Sequence, residues 1–303
     1  MPEAVRMRLL NHLPDTLDAW ARRAVGAFDT VRDVSAPAPG SSRVWELTRP
    51  DRTTRFIIKI ARDPARYRAE TFAYRQAVPA VPSGGAPLLL DSGAEHLALL
   101  LTALPGRPLR ELRLPTVEER EAYRQAGALL ARFHTAAEPT PERRAEARDE
   151  LDGAPHRLER HLHMCGDRVT ARERALVRGL VADLPHVGPL PLAFVHGDVQ
   201  PGNLMWSAAG HAAWIDFERA RFAPAVQDFV RLAAGPWADR PALRAAFLAG
   251  YGRRPGPTER HALRCLAALD AIGSLMWGPQ HGDDEVTARG RRTLDRLVEG
   301  EFA

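Results

Sequence analysis

The chain has 303 residues, enough for one large core or two modest ones, and its formal charge of +4 is spread along its length. No basic block interleaved with aromatics accompanies that charge, which argues against nucleic-acid binding. Cys165 and Cys265 are the only cysteines and lie far apart without CxxC spacing, against a disulfide framework or a zinc ribbon, and the longest apolar run, Leu97 to Leu104, is too short to span a membrane.

In chain order, Asp15 to Phe28 reads as a short amphipathic helix. Strands follow around Val31 to Val34, Arg43 to Thr48 and Arg55 to Ile60, with a Pro/Gly/Ser segment between the first two and a Pro50-Asp51 turn between the last two. Asp63-Pro64 opens a helix that runs to about Ala77, with Asp as N-cap and Pro in the first turn. Two more strands, Pro87 to Leu90 and His96 to Thr102, complete an antiparallel sheet of five. The segment Leu104-Pro105-Gly106-Arg107-Pro108 is the strongest boundary, and helices dominate after it. The first spans Thr116 to His134, and two more are expected between Thr140 and Asp183. Phe194-Val195 and two short strands, Leu204 to Trp206 and Ala213 to Ile215, interrupt the helices, which resume from Val226. These elements predict an α+β chain with two lobes.

Composition singles out one residue. Forty-two residues are Lys or Arg, and only Lys59 is lysine. It stands inside the apolar strand Arg55-Phe56-Ile57-Ile58-Lys59-Ile60, where a slim ammonium fits and a planar guanidinium does not. On the following helix Tyr67, Glu70 and Tyr74 fall at i, i+3 and i+7, so Glu70 is the carboxylate best placed to meet it.

The segment with most chemistry is Phe194-Val195-His196-Gly197-Asp198-Val199-Gln200-Pro201-Gly202-Asn203-Leu204-Met205-Trp206, followed by Trp214-Ile215-Asp216-Phe217-Glu218. A Pro-Gly turn and a short hairpin bring Asp198, Asn203 and Asp216 together. Hard magnesium ions take oxygen ligands of this type along with substrate phosphates, which suits Asn203 and Asp216. Asp198 is then free to orient a hydroxyl or accept its proton. Lys59 supplies a cation for the phosphates of a nucleotide.

These motifs resemble the aminoglycoside phosphotransferase and choline kinase-like superfamily, over roughly Val31 to Asp270. The resemblance implies a protein-kinase-like fold of two lobes: a five-stranded antiparallel sheet with one helix, and a mainly helical C-terminal lobe. Residues 1–104 form the nucleotide-binding lobe, 102–108 the hinge and 105–303 the lobe with the catalytic loop and acceptor site. It further implies catalytic Asp198, magnesium ligands Asn203 and Asp216, phosphate-binding Lys59 with its partner Glu70, and Asp228 bracing the catalytic loop. Thr102, Ala103 and Leu104 would present backbone to the adenine of ATP, with GTP an alternative. An Asp-x-Glu pair binds metal in the resembling methylthioribose kinase group, which adds Glu218. No Gly-x-Gly-x-x-Gly loop is present, so Gly40, Ser41 and Ser42 stand in for it. Gly197 replaces the arginine of His-Arg-Asp and no Ala-Pro-Glu follows, which points to a small-molecule acceptor instead of a protein.

His196 reads as a hydrogen-bonder that stabilises the loop. His161, His163 and Cys165 suggest a metal by type, but i and i+2 positions on a helix diverge. C-terminal helices line the acceptor cleft in the resembling family, so Trp277, Asp283 and Asp284 are acceptor-site candidates, or else an acidic cap on the last helix. The expected activity is magnesium-dependent transfer of the γ-phosphate to a hydroxyl of an aminoglycoside or basic peptide antibiotic. A metabolite kinase (choline, thiamine, methylthioribose, homoserine or a sugar) and a silent nucleotide-binding module are the alternatives. A cytoplasmic location is expected, because the two cysteines read as reduced thiols and the N-terminus lacks a charged stretch followed by an apolar segment; a monomer or homodimer is the expected assembly.

Overall fold

The computed structural model describes residues 12–35 and 42–302. An antiparallel sheet is built from β1 (Thr30–Asp33), β2 (Arg43–Thr48), β3 (Arg55–Ile60), β4 (Leu89–Gly93) and β5 (Ala98–Thr102), in the order β1-β2-β3-β5-β4. The last two strands start later than the sequence suggests. Residues 94–96 form a 3-10 turn and Leu97 takes a left-handed backbone with φ 51°, so pairing resumes only at Ala98. β4 also carries a register shift between Leu89 and Asp91.

Strand alternation decides which side chains meet across the sheet. On one face Trp45, Leu47, Phe56, Ile58 and Leu100 pack with Leu17 and Trp20 of helix α1 (Asp15–Val25). On the other, Leu99 and Leu101 join the large core shared with the helices. Lys59 follows Ile58 by one residue and so points to this second face. Helix α1 stops before Phe28 because Gly26 turns the chain at φ 79° and its N–H closes on the Arg22 carbonyl. Phe28 then folds back into the outer cluster beneath the Arg22 guanidinium, 4.1 Å away.

Helix α2 (Pro64–Phe72) begins as its residues require: the Asp63 carboxylate accepts the N–H groups of Ala65 and Arg66 at 2.9 Å. It does not run to Ala77 as a regular helix. The bonding widens into a π turn over Ala73–Ala77, which seats Tyr74 edge-on against Phe217 at 5.3 Å. Tyr67, Glu70 and Tyr74 are all buried, as their spacing on one face predicts.

The remainder is helical: α3 (Thr116–His134), α4 (Pro141–Asp152), α5 (Ala154–Cys165), α6 (Ala171–Ala182), α7 (Val230–Ala234), α8 (Pro241–Tyr251), α9 (Pro257–His281) and α10 (Asp284–Glu299). Three helices occupy the stretch where two are expected. Gly153 closes α4 and opens α5, and Pro155 in the first turn of α5 cannot continue an existing ladder. Helices α3 and α8 touch backbone to backbone: a Cβ on Gly250 would lie 1.8 Å from the Arg124 carbonyl oxygen.

Short strands lie among these helices and pair apart from the five-stranded sheet. β6 (Arg107–Pro108), β8 (Leu204–Trp206) and β9 (Ala212–Trp214) form one ribbon, and β7 (Leu192–Val195) pairs with β10 (Arg221–Pro224). Neither β6 nor β10 alternates in hydrophobicity, which is why sequence reading passes over them. Among the described residues, no helix is long and apolar enough to cross a membrane.

Candidate active site

The loop after β7 is held by one buried carboxylate. Asp228, 2% exposed, accepts the backbone N–H groups of His196 and Gly197, each at 2.7 Å, and lies 2.8 Å from His134 Nε2. The other His134 nitrogen, Nδ1, lies 2.8 Å from the Tyr251 hydroxyl. Burial on its own would raise the Asp228 carboxyl; the hydrogen bond and field of His134, the His196 ring and the Gly197 N–H outweigh it and hold the group below the usual carboxylate range. Gly197 has φ 79°, and a Cβ there would fall 2.3 Å from the Arg219 carbonyl oxygen. Glycine between His196 and Asp198 is therefore a steric requirement, which explains the missing arginine.

His196 is an internal brace. The Asp198 N–H donates to its Nδ1 at 3.3 Å, so Nε2 carries the proton and donates to the Ile215 carbonyl at 3.1 Å. The ring packs among Phe133, Trp214 and Phe217. Burial depresses its basicity, in keeping with the neutral tautomer.

Asp198 is 8% exposed and faces a cavity of about 1000 Å³ between α2 and the later helices. Gln200 Nε2 donates to its Oδ1 at 3.2 Å, and the Arg231 guanidinium meets the same oxygen. Arg231 comes from α7 and is invisible as a site residue in sequence. Burial lowers its basicity, Asp270 opposes that and Arg289 adds to it. Asn203 spends its amide Nδ2 on the Asp198 carbonyl at 2.9 Å, leaving the side-chain oxygen for another ligand.

Lys59 joins the two halves. Its Nζ lies 2.8–2.9 Å from the Glu70 carboxylate, 2.5 Å from Asp216 Oδ1 and 3.6 Å from Glu218. Burial would lower the lysine, but Asp216, Glu70 and Glu218 outweigh it and hold the ammonium charged well above its ordinary range. Burial raises Glu70, and the field of Lys59 only partly offsets this. Asp216 has φ 70°, a strained backbone for a residue with a Cβ, and the strain turns its carboxylate back toward Lys59. Glu70, Asp216 and Glu218 each bring an oxygen within 4.8 Å of the others. An all-oxygen set of this kind, with the free Asn203 oxygen nearby in the chain, fits a hard divalent cation.

The remaining candidates divide. Ser42 donates to Glu218 at 3.0 Å, and Arg66 pairs with the same carboxylate, so Ser42 sits over the site; Ser41 and Gly40 lie outside the described residues. The Thr102 N–H donates to the Leu88 carbonyl at 3.0 Å and that of Ala103 to the Arg55 carbonyl at 3.2 Å. Only Leu104 of this trio has an N–H without a backbone partner among the described residues. Trp277 stacks on His281 with centroids 4.1 Å apart and lines the cavity. Asp283 also lines it, but its Oδ1 caps α10 by accepting the Val286 N–H at 3.0 Å. Asp284 is exposed at the start of α10 and is not part of the cavity wall. The cavity wall carries arginines nearly as numerous as its carboxylates, among them Arg157, Arg231 and Arg289 beside Glu150, Asp270 and Glu285.

Residues 33–269 match the family described as "APH: Phosphotransferase enzyme family". A comparison with curated proteins finds no match. Among solved structures, macrolide 2'-phosphotransferase MphH from Brachybacterium faecium is 18% identical, with 93% of this chain and 98% of that one covered and a TM-score of 0.62. A thermostable mutant of aminoglycoside phosphotransferase APH(4)-Ia is 16% identical, with coverages of 93% and 98% and a TM-score of 0.66. The gentamicin complex of APH(2")-IIa is 14% identical, with coverages of 94% and 97% and a TM-score of 0.65. At these identities the likeness is one of fold, and the fold is protein-kinase-like.

Proposed function

Because the chain belongs to the phosphotransferase enzyme family, we propose that it transfers the γ-phosphate of ATP or GTP to a hydroxyl of a small molecule bound in the cavity beside Asp198. The observation that carries this reading is the convergence of Lys59 from β3, Glu70 from α2 and Asp216 from the helical half, within 2.5–2.9 Å of the lysine ammonium. A cation so placed between two lobes suits the phosphates of a nucleotide. We take residues 1–104 as the lobe that binds it, with Leu104 facing the base, and 105–303 as the lobe that binds the acceptor.

Asn203 and Asp216, assisted by Glu218, would hold magnesium, which neutralises phosphate charge when bound. Lys59 orients the phosphates and is itself aimed by Glu70. Asp198 receives the acceptor hydroxyl, which displaces Arg231 or Gln200 from its Oδ1 and lets that carboxylate align the attacking oxygen. Asp228 and His196 keep the loop in register without touching substrate.

The favoured acceptor is an antibiotic hydroxyl, because the similar structures are named as aminoglycoside and macrolide phosphotransferases. A metabolite acceptor is the second reading, favoured by the cavity's arginines, which suit a polycation poorly. A susceptibility panel with a strain expressing the protein, beside an Asp198→Asn control, separates the two. Resistance that requires Asp198 names the antibiotic class. Unchanged susceptibility together with phosphorylation of a metabolite would retire the antibiotic reading. Asp198→Asn is expected to lower turnover at least ~10²-fold while nucleotide still binds.

A further inference from the structure

Away from the cleft, the end of α6 meets the first half of α9. Asp183 follows α6, and His261 and Cys265 stand one turn apart on α9. His261 Nε2 lies 2.9 Å from Asp183 Oδ2 and 3.7 Å from Cys265 Sγ, and all three donor atoms lie within 4.8 Å of one another. None of the three lines the acceptor cavity.

We propose that Asp183, His261 and Cys265 form a binding site for a thiophilic divalent cation such as zinc. Two features favour a metal over a hydrogen-bonded relay. A relay needs the carboxylate and the thiol on opposite ring nitrogens of the histidine, whereas here both converge on Nε2. One nitrogen with one proton serves one of them, not both. The spacing also suits coordination. Zinc bonds of about 2.0 Å to nitrogen, 2.3 Å to sulfur and 2.1 Å to oxygen place tetrahedral N···S and N···O edges near about 3.5 Å and 3.3 Å. The observed separations reach those values with shifts of a few tenths of an ångström.

The surroundings allow entry. The side chains of His261 and Asp183 are 43% and 55% exposed while Cys265 is buried, so a cation arrives from the solvent side and keeps water in its fourth position. The aspartate and the thiolate together balance a dication, and binding releases the thiol proton. The ion would staple α6 to α9. The later residues of α9, Asp270, Ser274 and Trp277, reach the acceptor cavity, so the staple stiffens the cavity wall from behind. Chemistry at Asp198 does not depend on it.

Cobalt(II) titration of the purified full chain, kept reduced with a non-thiol reductant, tests the site. The expected result is a thiolate-to-cobalt charge-transfer absorption that saturates at one equivalent, disappears on adding zinc, and is accompanied by a rise in melting temperature. Cys265→Ser should abolish the absorption. His261→Ala and Asp183→Asn should weaken binding at least ~10-fold, and Cys165→Ser should leave it unchanged. Asp183 is exposed, so its variant folds even where a change at buried Cys265 does not. No absorption in the parent protein, an equal absorption in Cys265→Ser, or unchanged affinity in Asp183→Asn would overturn the proposal.

Discussion

Asp228→Asn is the sharpest probe of how the loop carrying Asp198 is held. The wild-type carboxylate has two oxygens for three donors: Oδ2 faces the His196 N–H and His134 Nε2, and Oδ1 faces the Gly197 N–H, all at 2.7–2.8 Å. Asparagine keeps one oxygen. If that oxygen stays with His196 and His134, the new NH2 group points at the Gly197 N–H and leaves it unsatisfied. An orphaned buried donor costs about 1–3 kcal/mol, and losing charge assistance in the two remaining bonds adds about 1 kcal/mol each. The expected destabilisation is about 3–5 kcal/mol, a large share of a typical ~5–15 kcal/mol. Urea unfolding followed by circular dichroism measures it. Nucleotide affinity should change little, because Lys59 and Glu70 are untouched, whereas turnover should fall ~10²-fold as Asp198 shifts. The pH dependence carries a second signature. The folded pKa of Asp228 is depressed, so its contribution is complete above the unfolded value of about 3.9 and is lost as pH falls through the lower folded value. The gap between wild type and variant should therefore be constant at neutral pH and shrink below about pH 4. A loss under 1 kcal/mol with normal turnover would refute the bracing role.

Three further outcomes follow from the geometry. Lys59→Arg keeps the charge but must fit a wider group among three carboxylates at a position 7% exposed; nucleotide affinity by calorimetry should drop ~10-fold or more, and equal affinity would make the lone lysine incidental. Gly250→Ala would force α3 and α8 apart and cost about 1–3 kcal/mol in thermal unfolding despite alanine's better helix propensity. Gly179→Ala, at an exposed position of α6 with nothing within 4 Å of the added methyl, should instead stabilise by up to ~1 kcal/mol; opposite signs at these two glycines check the α3–α8 contact.

Part of this protein is local, and that part is legible in the chain. The Asp63-Pro64 start of α2, the five-strand count and the placing of Asp198 and Asn203 around a Pro-Gly turn depend on nearby residues, and one short hairpin returns Asp216. Alternation along β3 also determines that Lys59 shares no face with Ile58, and helical spacing determines that Tyr67, Glu70 and Tyr74 share one. The misread boundaries have local causes that no periodicity reveals: a positive φ at Gly26 and Leu97, and a π turn after Phe72.

The rest required tertiary structure. Arg231 resembles the many other arginines of the chain until α7 delivers it onto Asp198. Asp283 reads equally as acceptor contact or helix cap, and its bond to the Val286 N–H shows the cap in place. His261 and Cys265 are one helical turn apart in sequence, but Asp183 is 78 residues from His261, and only the packing of α6 on α9 completes the trio. Residue type and short spacing specify which chemistry a side chain can perform. Which side chains stand together over long separations is decided by how apolar faces pack, and that information is distributed over the whole core.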